Sequence, residues 1–146
     1  MPQPDVFGQM IDDGWTKIDD DGFVGLIGPF LEKGDYPTMR FAFVTDPRHR
    51  NLRGVLQGGA LMTFADRALG MTARVATQAT RTATVQMDVH FIDAVHIGEI
   101  VEVSPKVVRA TRQLMFMTAE LVVGERVVAT ANGIWKKLSP PKPETT

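Results

Sequence analysis

Two features of the sequence could do chemistry: consecutive glycines at the start of a helical pattern, Gly58 and Gly59, and a carboxylate, Asp66, seven residues further on. Paired glycines allow close approach to the backbone, and the first amides of a helix have no partner inside it. With the helix dipole they form a position that stabilises a developing oxyanion. The plainer reading is that the glycines only turn the chain into the helix. Asp66 falls on the shoulder of the apolar stripe, flanked by Met62, Leu69 and Ala73, with Arg67 and Arg74 assigned to the face away from it. Its neighbours three and four positions away are Met62, Thr63, Leu69 and Gly70, so it has no cationic partner at helical spacing on its own helix. An unpaired carboxylate among apolar neighbours has poor helix propensity and an adverse desolvation cost. It is either paired with a group distant in sequence or kept for reaction.

Several other chemistries are excluded. The chain has no cysteine, which removes thiolate nucleophiles, disulfides and cysteine-bound metals. Its only serines, Ser104 and Ser139, each precede a proline, and neither sits in a G-x-S-x-G elbow. Gly22, Gly25 and Gly28 recur every third residue without forming G-x-G-x-x-G. Asp88 and His90 share the polar face of one strand-like run, with His96 beyond a turn, a pattern expected to be solvated rather than metal-binding. His49, in a basic loop, reads as a surface residue. A net charge of −1 argues against nucleic-acid or anionic-membrane partners. The first ten residues lack the basic and apolar segments of a secretory signal. The longest apolar run, Phe23 to Leu31, is interrupted by glycines and Pro29, well short of the ~20 residues a membrane span requires. A cytoplasmic location is expected.

The elements that must position these residues follow from periodicity. At 146 residues the chain should form one domain, residues 1–138, followed by a disordered proline-rich tail, residues 139–146. A short helix is expected from Asp5 to Trp15, with Asp5 as a cap. Strands are expected over Phe23–Leu31 and Thr38–Val44, joined by a turn containing Gly34 and Pro37. Between Ala60 and Ala76 the residues Leu61, Phe64, Ala65, Ala68, Leu69 and Thr72 mark one face of a helix roughly 25 Å long. From Thr84 to Phe91 polar and apolar residues alternate without a fault, as in a half-buried strand. Gly98–Arg109, Arg112–Val123 and Arg126–Lys137 continue as strands, the last two joined by a tight turn at Gly124-Glu125. The class is α+β, with an antiparallel sheet of five to six strands. One helix cannot cover both faces of such a sheet. The sheet must curl round it or find a second cover from another chain.

The run Asn51-x-x-Gly54-x-x-Gln57-Gly58-Gly59 followed by Asp66 resembles the signature of hotdog-fold acyl-CoA thioesterases of the phenylacetate-pathway type. The resemblance extends loosely from Phe23 to Lys137 and is specific over Asn51–Asp66 and Arg81–Glu99. It implies a hotdog fold, in which the sheet wraps round one long central helix and dimers join sheets edge to edge. It also implies a homodimer or a tetramer of two dimers, acting on an acyl-CoA without a separate cofactor or metal. By resemblance Asp66 is the general base or nucleophile, the Gly58 N–H polarises the thioester carbonyl with help from Asn51, and Thr84 orients the attacking water. The family's histidine beside the leaving sulfur is here Gln57, which with Gly59 is implied to contact the substrate. A glutamine can donate a hydrogen bond to sulfur but cannot supply a proton near neutral pH. That departure keeps a second reading open, an acyl-CoA-binding or sensor protein without efficient turnover. A hotdog dehydratase ranks third, because no histidine falls in the motif. Arg109 and Arg112, bracketing a hairpin turn, are candidates for the phosphates of coenzyme A or simply a solvated turn. The acyl group itself is not legible.

Overall fold

The computed structural model describes residues 5–141 together with 143 and 144. Along the chain lie α1 (Val6–Asp12), β1 (Thr16–Lys17), α2 (Phe23–Ile27), β2 (Phe30–Lys33), β3 (Arg40–Val44), a 3-10 turn (Pro47–His49), α3 (Gly58–Thr77), β4 (Arg81–Phe91), β5 (Ile100–Val103), β6 (Lys106–Ala110), β7 (Leu114–Val123) and β8 (Arg126–Leu138). The strands form a single eight-stranded sheet in the order β1-β2-β3-β5-β7-β8-β4, with β6 also pairing with β7. Every pairing is antiparallel.

The apolar stripe of α3 buries as its period dictates, through Leu61, Phe64, Ala65, Ala68, Leu69 and Thr72. The helix packs on β3, β4, β6, β7 and β8, strands drawn from well-separated positions in the sheet order, so the sheet curves round it. This is the expected hotdog arrangement. Phe64 meets Phe30 edge-on at 5.1 Å and Phe43 at 5.6 Å, and these two rings meet each other at 4.9 Å. Burying each such side chain contributes about 1.5–3 kcal/mol. On the opposite face of β2 and β3, Leu31 and Ala42 pack with Met10 and Trp15, so α1 and the segment after it cover part of the outer face. Asp5 caps α1 by accepting from the Gly8 amide at 2.9 Å, as expected.

Three local expectations are corrected. Phe23–Leu31 is not one strand but a helix followed by a strand, broken at Gly28-Pro29. Val24 and Ile27, three apart, pack on the core, while Phe23 and Leu26 face outward, a helical period hidden inside an apolar run. Gly98–Arg109 divides into β5 and β6 at Ser104-Pro105, where proline cannot donate to a ladder. That division, with the two-residue β1 that pairs with β2, raises the strand count from five or six to eight. The tail begins after Leu138, the last residue of β8; residues 142, 145 and 146 of it lie outside the described residues.

Candidate active site

Helix α3 starts at Gly58, with Gln57 in the N-cap position. The Gln57 side-chain oxygen accepts from the amides of Gly59 and of Ala60, the latter at 3.3 Å. Two of the first-turn donors are thereby satisfied. The Gly58 amide forms no hydrogen bond among the described residues. A Cβ on Gly58 would stand 3.2 Å from the Phe91 ring, so glycine lets β4 approach the helix start closely.

The loop before the helix is folded by Asn51. Its Oδ1 accepts from the amides of Arg53 at 2.8 Å and Val55 at 3.2 Å, and its own amide donates to the Val55 carbonyl at 2.7 Å. Gly54 closes this turn at φ +85°, a left-handed conformation that side chains resist. With Oδ1 engaged, the amide group Nδ2 remains as the donor. Upstream, Asp46 caps the 3-10 turn by accepting from Arg48. Burial pushes the Asp46 carboxyl up, but hydrogen bonds from the Arg48 side chain and amide outweigh it and hold it below its usual value. Asn51 and Gly58 line a cavity of about 360 Å³ together with Leu61, Phe91 and Val95.

Asp66, two turns into α3, accepts a 2.6 Å hydrogen bond from Thr84 Oγ1 on β4. A β-bulge makes this contact. Thr84 pairs with Trp135 and Gln86 with the adjacent Ile134, leaving Val85 as an extra residue. Met87 and Val89 pack on the core that α3 shares, and without the bulge Thr84 would point to the other face from them. Strict alternation over Thr84–Phe91 therefore does not hold: the bulge returns Thr84 to the helix side and leaves Val85 56% exposed.

Asp66 and Thr84 line a second cavity of about 600 Å³, with Arg67, Gly70, Met71, Arg74, Arg81, Trp135 and others around it. Arg67 and Arg74 thus border the same cavity as Asp66, contrary to the expectation that they face away. Positions 66, 70 and 74 recur every four residues, which is the signal that places them on one side of the helix. Arg67 pairs with Asp20 at 3.1 Å, tying the segment before α2 to the cavity wall.

The remaining candidates separate. Gly58 and Asp66 are eight residues apart, about 12 Å along the axis, and open onto different cavities. Gln57 and Asn51 also border the basic loop formed by Arg48, Arg50 and Leu52. Gly59 has its amide engaged by Gln57. Arg109 and Arg112 are exposed at the β6–β7 turn and line neither cavity. His49 is not a surface residue: it is 4% exposed, edge-on to Phe43 at 4.7 Å, with Nε2 2.6 Å from the Ile27 carbonyl. A loop composition that reads as solvated is here pulled inward to hold the end of α2.

Residues 53–130, the stretch holding Gly58, Asp66 and Thr84, match the family model of the thioesterase superfamily. This chain belongs to the thioesterase superfamily. A relative in Pseudomonas aeruginosa, PA0474, which bears the name of an esterase, is 31% identical over 75% of this chain and 84% of its own length. Among the solved structures that share the hotdog fold with this chain, two are informative. One is an Asn-to-Asp variant of the phenylacetic acid degradation protein PaaI from Thermus thermophilus, with TM-score 0.73 and 21% identity, covering 81% of this chain and 100% of that one. The other is smu.793 from Streptococcus mutans bound to acetyl CoA, with TM-score 0.70 and 14% identity, covering 86% of this chain and 96% of that one. Among the described residues no helix is long and apolar enough to cross a membrane.

Proposed function

We propose that this thioesterase-superfamily protein hydrolyses an acyl-CoA thioester to the free acid and coenzyme A. The observation that carries the reading is the Thr84–Asp66 pair, a carboxylate held by a hydroxyl and opening onto a cavity. Membership of the superfamily supports thioester hydrolysis, and the acetyl CoA in the Streptococcus mutans neighbour supports the acyl-CoA class.

Asp66 acts as general base on water or attacks the carbonyl carbon directly. In the first case water adds to the carbonyl, its proton passes to Asp66, the C–S bond breaks and the thiolate leaves. The free Gly58 amide, at the positive end of α3, stabilises the charge that develops on the carbonyl oxygen, with Asn51 Nδ2 as a second donor. Gln57 lies on the sulfur side. A thiolate is a good leaving group, so no acid is required there.

One chain cannot supply both halves to one carbonyl across about 12 Å. The working site therefore combines Asn51 and Gly58 of one protomer with Asp66 and Thr84 of its partner across a two-fold interface. Support comes from β4, which ends the sheet with one edge unpaired and carries the exposed Val85 and Phe91. A thiol-release screen over short, long and aryl acyl-CoA esters tests the proposal. Turnover of at least one class is the expected result; tight binding with no thiol release from any ester would replace it by the acyl-CoA-binding reading that Gln57 favours.

A further inference from the structure

Among the described residues Asp66 is the only acidic one lining the 600 Å³ cavity, which also carries three arginines. Arg67 is neutralised by Asp20. Arg74 and Arg81 form no ion pair among the described residues. Arg74 Nη2 lies 3.0 Å from Met71 Sδ, and Arg81 donates to the Ser139 carbonyl, which leaves most of their ten N–H donors for a ligand.

Both arginines lie toward one end of the cavity; Arg81, which alternation turns to the face of β4 opposite Thr84, reaches the lining from the start of the strand. Arg74 is eight residues beyond Asp66 on α3, about 12 Å along the axis. Arg81 is three residues before Thr84 on β4, about 10 Å at the rise of a strand. Only Gln78–Thr80 separate the two elements, so both arginines stand toward the same end, at similar distances from the Thr84–Asp66 pair. Between the reacting end and the cationic end lie Gly70 and Met71, with Thr82 beside them and Leu138 beyond, so a methylene chain would meet Met71 and Leu138 in an otherwise mostly polar cavity.

We propose that Arg74 and Arg81 select an acyl group that ends in a carboxylate, making the preferred substrate class ω-carboxyacyl-CoA esters. The inference rests on the proposed hydrolase reading, in which the thioester carbon sits beside Asp66 and coenzyme A leaves on the Gln57 side. Guanidinium groups bind carboxylates through paired, charge-assisted hydrogen bonds, which gives the two free arginines a reason to prefer a carboxylated chain end.

The test uses the full chain and compares kcat/KM for succinyl-, adipoyl- and suberoyl-CoA with butanoyl-, hexanoyl- and octanoyl-CoA. At the best length the carboxylated ester should be favoured by about tenfold or more. Arg74→Gln with Arg81→Gln should bring that ratio close to one, and Arg81→Glu, at an exposed position, should reverse it. A wild-type ratio near one overturns the inference and leaves hydrolysis standing. Equal losses on both series in the variants also overturn it, because the arginines would then meet the coenzyme A phosphates common to all six esters. If no ester is hydrolysed the hydrolase reading fails, and the ratio of dissociation constants for suberoyl-CoA and octanoyl-CoA then decides the inference on the same criterion.

Discussion

Thr84 Oγ1 donates a 2.6 Å hydrogen bond to Asp66 Oδ1 across eighteen residues of sequence, and a one-residue bulge at Val85 is what lets it do so. The bond uses one carboxylate oxygen, and the other accepts no hydrogen bond among the described residues. Removing it with Thr84→Ala should lower kcat by roughly tenfold, the scale of one hydrogen bond to a charged group, with a smaller effect on KM. Thr84→Ser retains the hydroxyl and should stay within about threefold of wild type. A variant that melts at a lower temperature but turns over normally would reduce Thr84 to a structural contact.

Gln57 caps α3 and also stands where the resemblance places the leaving sulfur. Gln57→Ala should therefore lower stability by about 1 kcal/mol through the lost cap, measured by denaturant unfolding. Its effect on kcat should be about tenfold or less, the worth of one neutral hydrogen bond. Gln57→His should give unchanged or higher activity. Complete inactivity of both variants would assign the glutamine a different role.

Much of this arrangement is legible in the sequence because it is written in local patterns. The stripe from Leu61 to Thr72 predicts the face that α3 buries, and the glycines at its start mark the free amide. What the sequence hides depends on contacts between distant segments. The bulge at Val85 looks like uninterrupted alternation until Thr84 is seen against Asp66. His49 reads as solvated because the carbonyl that holds it, that of Ile27, lies 22 residues away, and its packing on Phe43 depends on how the intervening turn folds. Helix α2 hides in an apolar run because its burial comes from the core that Val24 and Ile27 reach. Arg74 stands on the side of Asp66 by the four-residue spacing of positions 66, 70 and 74, whereas Arg67 borders the same cavity beside its partner Asp20, which is distant in sequence.

Gly70 illustrates a close approach that shapes the cavity wall. Alanine is ordinarily better than glycine inside a helix by roughly 0.5–1 kcal/mol. Here an added Cβ would stand 2.9 Å from Trp135 Nε1, and the indole is only 1% exposed and cannot swing away. Gly70→Ala should lower the melting temperature, and a rise would show that the indole yields.

The proposal of a site shared between protomers makes a prediction that no single-chain site makes. Suppose protomers carrying Asp66→Asn and protomers carrying Asn51→Ala are each nearly inactive alone. In a mixed dimer one site collects both lesions and the other neither. Random equal mixing gives about half mixed dimers, each with one intact site, so roughly a quarter of wild-type activity should return. Exchanged mixtures that remain as inactive as their parents would place each site within one chain.

The most direct measurement is the thiol-release rate of Asp66→Asn on the best acyl-CoA ester found. The substitution keeps the side chain's size and removes its charge and basicity. If Asp66 is the base or nucleophile, kcat should fall by at least ~10²-fold while substrate affinity changes little, because the carboxylate acts on the transition state. Turnover near that of wild type would leave Asp66 a structural residue and contradict the proposed mechanism at its centre.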